Sequence, residues 1–288
     1  MLPILIPRRL ERFCRGNPER SAWLQKLPGV VSELASRWTL TLANAFEHGH
    51  ASCSWVAPAV RADGAPVVLK IGVPHMEAEQ EIDALRLLHG DPTVYLLEAD
   101  RALNALLLER CEPGTALRVE AIASQDQVIA ELVRRISVVP VHGHPFRHLS
   151  AMVASWGEET RRDRRRWPDA ALVQDGLAAF EELASPASGD VLLATDLHAG
   201  NVLRAQRRPW LVIDPKPFIG DAAYDGTQHL LNTRDRLEAD PDTAIRMFAD
   251  MLAVDSRRLR LWLFARLAAE PRDLWDEGAM VLARRLRA

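Results

Sequence analysis

The stretch that decides the fold is LATDLHAGNV, residues 193–202. It places an acid, Asp196, a histidine, His198, and an amide, Asn201, within six residues. An apolar run precedes the polar residues, and the next apolar run along the chain ends in Asp214. Short apolar runs on either side of a polar segment predict two strands with a loop between them. An Asp and an Asn within one turn are often only turn formers, so the flanking strands matter to the interpretation.

The spacing of these polar groups suits phosphoryl transfer. Asn201 follows Asp196 by five residues, the D-x-x-x-x-N spacing of a kinase catalytic loop. Phosphoryl transfer needs a carboxylate that orients the attacking hydroxyl, and it needs metal ligands that neutralise developing charge. Asp196 is the candidate catalytic base, and Asn201 and Asp214 offer hard oxygen ligands suited to Mg²⁺. A metal hydrolase that uses Asp196, His198 and Asp214 directly is the alternative from another class.

Hydrophobic spacing in the rest of the chain predicts strands mainly before residue 110 and helices after it. The predicted strands cover residues 38–42, 54–60, 67–71, 94–97, 105–108, 191–193 and 210–213, with a hairpin turn at Asp63-Gly64. The predicted helices cover residues 18–38 with a break or kink at Pro28, 77–88, 128–136, 150–165, 170–184 and the C-terminal stretch. This order predicts an α+β fold of two lobes, residues 1–110 and 111–288, joined near residues 109–114.

Composition limits the classes of partner. The 288 residues are 48% hydrophobic and 26% charged, as in an ordinary globular protein, and the net charge is −3. That charge predicts no nucleic-acid or anionic-membrane partner. No run approaches the roughly 20 apolar residues of a membrane span, and three widely spaced cysteines indicate neither a disulfide framework nor a zinc motif. We therefore expect a cytoplasmic protein, with the oligomeric state left open.

The motifs taken together resemble the aminoglycoside phosphotransferase superfamily. The resemblance is carried by DLHAGNVL (196–203), VIDPKP (212–217) and GDAAYD (220–225), with VLK (68–70) and LLER (107–110). The string IDPKP more narrowly resembles the streptomycin and hydroxyurea phosphotransferase branch, and the similarity covers roughly residues 38–235. It implies a protein-kinase-like fold with a small, mainly β nucleotide-binding lobe and a large, mainly helical lobe. It also implies ATP and Mg²⁺ as cofactors and a small hydroxylated acceptor, such as streptomycin or hydroxyurea.

Within this resemblance, individual residues acquire expected roles. Lys70 matches the strand lysine that binds the α- and β-phosphates. Glu81 is the first candidate for its helix partner, and Glu77 and Glu79 compete with it. Asp196 matches the catalytic base.

Other nucleotide contacts follow from the same resemblance. Glu109 and Cys111 match the lobe connection, where the family binds adenine through backbone groups, although a plain linker has the same residues. Ser52, in the loop between the first two predicted strands (38–42 and 54–60), is a candidate phosphate contact. An ordinary hairpin loop is the alternative there.

The second half of the motif set carries further expectations. Asp221 and Asp225 match acids that order the loop, and Lys216 is expected either to touch phosphate or to form a structural salt bridge. Ala194-Thr195 replaces the His-Gly that usually precedes the catalytic Asp. This departure motivates the alternative of a non-catalytic nucleotide-binding protein.

Two remaining clusters are open to more than one interpretation. Three histidines have spacing that suits zinc, but the prolines around them favour an exposed loop: His142, His144 and His148. A polycationic acceptor needs acids near the catalytic base, or these acids are simply surface charges: Asp225, Asp273, Asp276 and Glu277.

Overall fold

A computed structural model describes residues 4–47, 53–139, 143–271 and 276–287. The strands in these ranges are β1 (Leu40–Leu42), β2 (Ser54–Arg61), β3 (Pro66–Gly72), β4 (Leu96–Asp100), β5 (Ala105–Glu109), β6 (Val191–Leu193), β7 (Val202–Arg204), β8 (Trp210–Val212) and β9 (Phe218–Gly220). The helices are α1 (Arg8–Cys14), α2 (Pro18–Arg37), α3 (Glu81–Leu88), α4 (Ile122–Ile136), α5 (Leu149–Arg162), α6 (Ala170–Leu183), α7 (Asp225–Asn232), α8 (Arg234–Ala239), α9 (Pro241–Leu252), α10 (Ser256–Ala269) and α11 (Glu277–Arg287).

The chain divides into two compact units. The first comprises Met1–Thr115 and Leu203–Ile213, and the second comprises Ala116–Val202 and Asp214–Ala288. The pairing of β7 with β8 therefore belongs largely to the first unit, although both strands come late in the sequence.

The first unit is built on a five-stranded antiparallel sheet in the order β1-β2-β3-β5-β4. The expected turn between β2 and β3 is confirmed: Gly64 has φ 83°, and the Asp63 carboxylate accepts a hydrogen bond of 2.9 Å from the Ala65 amide. Only a residue without a side chain adopts such a positive φ at no cost, so this turn sets the register of the hairpin. That register pairs Lys70 with Val56 on one side and with Leu106 on the other.

Alternation along β3 separates two apolar layers. Leu69 and Ile71 point to one face, where they pack with residues of α1 and α2. Val68 points to the opposite face, which packs against Ile82 and Leu85 of α3 and also against the β7–β8 region. Because side chains alternate along a strand, Lys70 shares the face of Val68 and is directed towards α3.

The helix α2 confirms the helix expected at residues 18–38. The Asn17 side chain caps its N-terminus by accepting a 3.0 Å hydrogen bond from the Arg20 amide. The helix continues through Pro28 rather than breaking there. The seven-residue helix α1, which the sequence did not indicate, precedes it.

The second unit is mainly helical and is organised around α10. Almost every residue of α10 from Trp262 onward is buried, which is typical of a central helix. The helices α6 and α11 pack against it. A Cβ at Gly176 of α6 would lie 2.7 Å from the Cβ of Ala268, so glycine permits the close approach of these helices. None of the described helices is both long and apolar enough to cross a membrane.

Candidate active site

Lys70 and Glu81 form a buried ion pair in the first unit. The Lys70 Nζ atom lies 2.6 Å from each carboxylate oxygen of Glu81. Their side chains are only 8% and 4% exposed. Lys70 is brought there by the alternation of β3, and Glu81 is the first residue of α3. The expected choice of Glu81 as the partner of Lys70 is therefore confirmed by geometry.

Asp196 is held through both of its carboxylate oxygens. Lys216 Nζ donates to Oδ2 at 2.6 Å, and Gln228 Nε2 donates to Oδ1 at 2.7 Å. The Asp196 side chain remains 25% exposed. A carboxylate oriented on both oxygens and still open to solvent is suited to receive a proton from a bound hydroxyl. Of the two roles expected for Lys216, the structure shows the salt bridge.

Asp225 fastens the segment that leads into Asp196. Its carboxylate, 1% exposed, accepts hydrogen bonds from the amides of Ala194 (2.7 Å) and Thr195 (2.8 Å). Burial raises the pKa of Asp225 to about 7, while the two hydrogen bonds act in the opposite direction. The expectation that Asp225 orders the loop is confirmed.

A second set of bonds joins the same segment to the residues after β8. The Thr195 hydroxyl donates to the carbonyl of Lys216 at 2.7 Å, and the Lys216 amide donates to the carbonyl of Ala194 at 3.1 Å. Thr195 itself has φ 41°. A β-branched residue with positive φ is strained, so these bonds hold a conformation that an isolated chain would avoid.

Asn201 presents an oxygen that could serve a metal ion. Its side-chain nitrogen donates to the carbonyl of Asp196 at 3.0 Å, and the residue is 7% exposed. Because a carbonyl only accepts, the nitrogen must face it and Oδ1 is directed elsewhere. Asp214, the other expected ligand, follows β8 with φ 55°. Such backbone strain in a residue other than glycine is concentrated at functional sites.

No group of three or more His, Cys, Asp or Glu side chains is placed to hold a metal ion in the part of the chain that the structure describes. A hydrolytic metal centre built from Asp196, His198 and Asp214 therefore gains no support. His198 Nδ1 instead accepts a 3.0 Å hydrogen bond from the Gly200 amide. Mg²⁺ is commonly held by one or two protein oxygens together with nucleotide phosphates, so Asn201 and Asp214 fit that ion.

The two described members of the histidine cluster, His144 and His148, have structural roles. His148 caps α5 by accepting from the Ser150 amide at 3.1 Å, and its Nε2 lies 2.9 Å from Asp190. His144 stacks on Phe146 at a centroid distance of 5.9 Å. His142 lies outside the described residues.

The residues expected to contact adenine lie at the end of β5 and just after it. The Glu109 carboxylate accepts from Arg207 at 3.0 and 2.8 Å and from the Tyr95 amide at 2.9 Å. Burial raises the pKa of the Cys111 thiol to about 12, so this side chain is a neutral, unreactive thiol. Both side chains are thus structural, in line with the expectation that only backbone groups act here. Ser52 lies outside the described residues.

The family model described as "Aminoglycoside/hydroxyurea antibiotic resistance kinase" matches residues 37–273. The chain belongs to the aminoglycoside/hydroxyurea antibiotic resistance kinases. A streptomycin 6-kinase of Streptomyces glaucescens is 35% identical over 268 residues, covering 90% of this chain and 85% of that protein. A hydroxyurea phosphotransferase of Kitasatospora aureofaciens is 35% identical over 272 residues, covering 91% and 77% respectively.

A solved structure supports the fold of this antibiotic resistance kinase. The choline kinase of Streptococcus pneumoniae matches with a TM-score of 0.63 at 12% identity, covering 91% of this chain and 98% of the other. The expected protein-kinase-like α+β fold is thereby confirmed. Membership of the family makes the protein an enzyme, a small-molecule phosphotransferase that takes phosphate from a nucleotide.

The acids expected to face a cationic acceptor need correction in this kinase. Asp225 is wrong because it is buried and bound to the loop backbone. Asp276 accepts from Arg234 at 2.7 and 3.0 Å and caps α11 through the Ala279 amide, so its charge is already balanced. Glu277 is exposed at the start of α11. Asp273 lies outside the described residues.

Asp221 stabilises a different part of the kinase from the loop that Asp225 holds. Its carboxylate accepts from the Trp262 indole at 2.6 Å and from the Ala223 amide at 3.0 Å, and it also contacts Arg258. These bonds tie the turn before α7 to the central helix α10.

Sequence reasoning missed Gln228, the second support of Asp196. It lies three residues after Asp225 on α7, and residues three apart share a helix face. Asp225, the last residue of the GDAAYD motif, marks the face of α7 that meets the catalytic loop. The spacing of Gln228 from Asp225 could therefore have indicated that Gln228 faces this loop too.

Proposed function

We propose that this kinase transfers the γ-phosphate of ATP to a hydroxyl group of a small molecule, with Asp196 as the catalytic base. The observation that carries the proposal is the state of Asp196: both oxygens are oriented, by Lys216 and Gln228, and the side chain is still partly exposed. A carboxylate that is held in one orientation and that a bound hydroxyl can still reach has the geometry that a general base needs.

Nucleotide binding is assigned to residues 1–110. Lys70, oriented by Glu81, would bind the α- and β-phosphates of ATP through its ammonium group. Backbone groups of Glu109 and Cys111 would bind adenine, and Ser52 would contact phosphate. Residues 111–288 supply the catalytic loop and the acceptor site.

Asn201 and Asp214 would hold Mg²⁺. When bound, this ion neutralises negative charge on the phosphates. Asn201 contributes a neutral oxygen and Asp214 a charged one, so we expect Asp214 to dominate the affinity for the ion.

The chemical step assigned to the chain is a proton transfer at Asp196. The acceptor oxygen forms a bond to the γ-phosphorus, and the bond from that phosphorus to the bridging oxygen of ADP breaks. The acceptor proton moves to an oxygen of Asp196, late in the step. Lys216 and Gln228 each hold one oxygen of Asp196 and so keep the carboxylate in place, which lowers the cost of reaching the reactive geometry.

The acceptor belongs to the class named for the relatives, streptomycin or hydroxyurea. We place streptomycin first, because it is the substrate named for the Streptomyces glaucescens relative, 35% identical to this chain. An enzyme that uses ATP in this way would act in the cytoplasm.

The test is transfer of labelled phosphate from ATP with Mg²⁺ to streptomycin, hydroxyurea and a panel of simple sugars. Wild type should phosphorylate one of the first two. Asp196→Asn should bind ATP normally and lose about a hundredfold to ten-thousandfold of transfer, the usual contribution of a general base. Asp250→Asn, the same change at an exposed position of α9, should match wild type.

Two outcomes contradict the proposal. Wild-type transfer in Asp196→Asn would remove Asp196 from the chemistry. A protein that binds ATP but transfers phosphate to none of the acceptors, streptomycin and hydroxyurea included, would overturn the assigned acceptor class.

A further inference from the structure

The side-chain amide of Gln228 has one end fixed and one end open. Gln228 is the only residue between 223 and 230 that is not buried. Its Nε2 atom donates to Asp196 Oδ1 at 2.7 Å. Because an ionised carboxylate only accepts hydrogen bonds, the nitrogen must face Asp196 and Oε1 must face away.

The open end is an unused acceptor. Within the ranges that the structure describes, Gln228 Oε1 makes no hydrogen bond, and it is not among the buried atoms without a partner. It is therefore open to solvent beside the catalytic carboxylate. A polar atom in that position is available to a bound acceptor.

The other oxygen of Asp196 is occupied by a cation. Lys216 Nζ lies 2.6 Å from Oδ2, so this oxygen is strongly engaged. Each carboxylate oxygen has two lone pairs. A reacting hydroxyl that donates to the second lone pair of Oδ1 would lie next to the amide of Gln228.

We propose that Gln228 is a specificity-determining residue that orients Asp196 through its nitrogen and accepts a hydrogen bond from the acceptor through its oxygen. The bond comes from a donor beside the reacting hydroxyl, either a second hydroxyl, an amine or a guanidinium group. The inference rests on the proposed function and narrows its acceptor class. Simple alcohols without such a neighbouring donor are poor substrates because they leave Oε1 without a partner.

Two substitutions separate the roles of the two amide atoms. Gln228→Leu removes both the donor and the acceptor. Gln228→Glu keeps an acceptor oxygen for the substrate but replaces the donor with a second carboxylate against Asp196. Gln174→Leu, at an exposed position of α6, is the matched control.

Steady-state transfer to streptomycin should fall about tenfold to a hundredfold in kcat/KM for Gln228→Leu, the range expected for loss of a hydrogen bond to a charged group. The KM for ATP should stay within about twofold, since no nucleotide contact is removed. Gln228→Glu should retain a KM for streptomycin near the wild-type value. Its rate should shift in pH instead, because two adjacent carboxylates resist simultaneous ionisation. The acid limb of the profile should move to higher pH by about one unit or more.

Slow hydrolysis of ATP without an acceptor gives a readout that does not depend on the acceptor. Gln228→Glu should move the acid limb of this reaction as well, even if streptomycin proves not to be a substrate. An unmoved acid limb, or wild-type kinetics in Gln228→Leu, overturns the inference. Equal losses in both variants without a pH shift would show a merely structural role and also overturn it. Thermal unfolding of each variant identifies losses caused by misfolding, and the isosteric Gln228→Glu then carries the decision.

Discussion

Removing one charge of the Lys70–Glu81 pair should cost far more stability than removing both. The two side chains are almost completely buried, and Nζ lies 2.6 Å from each carboxylate oxygen. Lys70→Met removes the ammonium partner of a buried carboxylate in the layer between β3 and α3, at a cost of about 3–5 kcal/mol. Glu81→Leu removes the carboxylate partner of the buried Lys70 ammonium group, at a similar cost. That is a large part of the roughly 5–15 kcal/mol that stabilises an ordinary domain.

The double variant Lys70→Met/Glu81→Leu removes both charges and replaces them with apolar groups of similar volume. We expect it to be more stable than either single variant, since replacing a whole buried ion pair is often neutral or stabilising by about 1–4 kcal/mol. It should therefore fold, which allows a clean measurement of nucleotide binding. Loss of the charged contacts to phosphate should weaken ATP binding by about tenfold or more.

The assay is a double-mutant cycle by urea unfolding, with ATP binding measured by calorimetry on each folded variant. Arg161→Met is the control, because Arg161 pairs with Glu181 on the surface and should change stability by no more than about 1 kcal/mol. Additive effects of the two single substitutions would refute the coupling assigned to the pair. Wild-type ATP affinity in the folded double variant would refute the role of Lys70 in nucleotide binding.

Two further predictions concern the metal ligands and the buried acid. Asp214→Ala should abolish Mg²⁺-dependent phosphate transfer. Asn201→Ala removes only a neutral ligand, so raising the Mg²⁺ concentration should restore part of its transfer activity. Equal rescue of both variants would contradict the assignment. Because burial raises the pKa of Asp225 to about 7, above its unfolded value, its contribution to stability is complete below about pH 4 and is lost as pH rises through about 7. The loss amounts to about 4 kcal/mol. Urea unfolding between pH 5 and pH 8 should therefore show that the free energy of unfolding falls more steeply with pH for wild type than for Asp225→Asn. Equal slopes for the two proteins would contradict the prediction.

Much of the first unit could be predicted because its signals are local. The turn at Asp63-Gly64 and the alternation of β3 follow from neighbouring residues, and together they place Lys70 on the side of α3. The predicted helix began at residue 77, which left Glu77 and Glu79 in competition with Glu81, and the hydrogen bonds of Lys70 in the structure decide for Glu81. The sequence also indicated the loop from Asp196 to Asn201, since its spacing lies within one short segment.

Long-range pairings could not be predicted in the same way. The strand β6 pairs with β9, about 27 residues later in the chain, and both are only three residues long. Such short strands carry almost no alternation signal, so their partners depend on the packing of the whole unit. A helical pattern likewise indicates which face of α7 carries Gln228. It does not show that Asp196 packs against that face, because this too depends on the packing of the whole unit.

The charge of an acidic residue was the least reliable guide to its role in the site. The resemblance predicts that Asp225 orders the loop. Because acids rarely occur fully buried, Asp225 was also a candidate to face a cationic acceptor. The structure shows that these roles exclude one another, because a carboxylate bound to two backbone amides is closed to solvent. In the proposed function, recognition of the acceptor falls to groups that are still open to solvent, such as Gln228 Oε1.

The replacement of His-Gly by Ala194-Thr195 changes the support of the catalytic loop rather than removing it. Thr195 has φ 41°, a conformation that costs a β-branched residue of the order of 1–3 kcal/mol. Such strain persists only where the surroundings over-determine it. Here Asp225 binds the amides of both residues, and the Thr195 hydroxyl binds the carbonyl of Lys216, the residue whose ammonium group holds Asp196. The threonine therefore links the backbone of the base to the cation that orients it, a connection that glycine could not make. A loop that had lost its function would have no reason to keep this strained and fully bonded arrangement, so the departure supports an active enzyme.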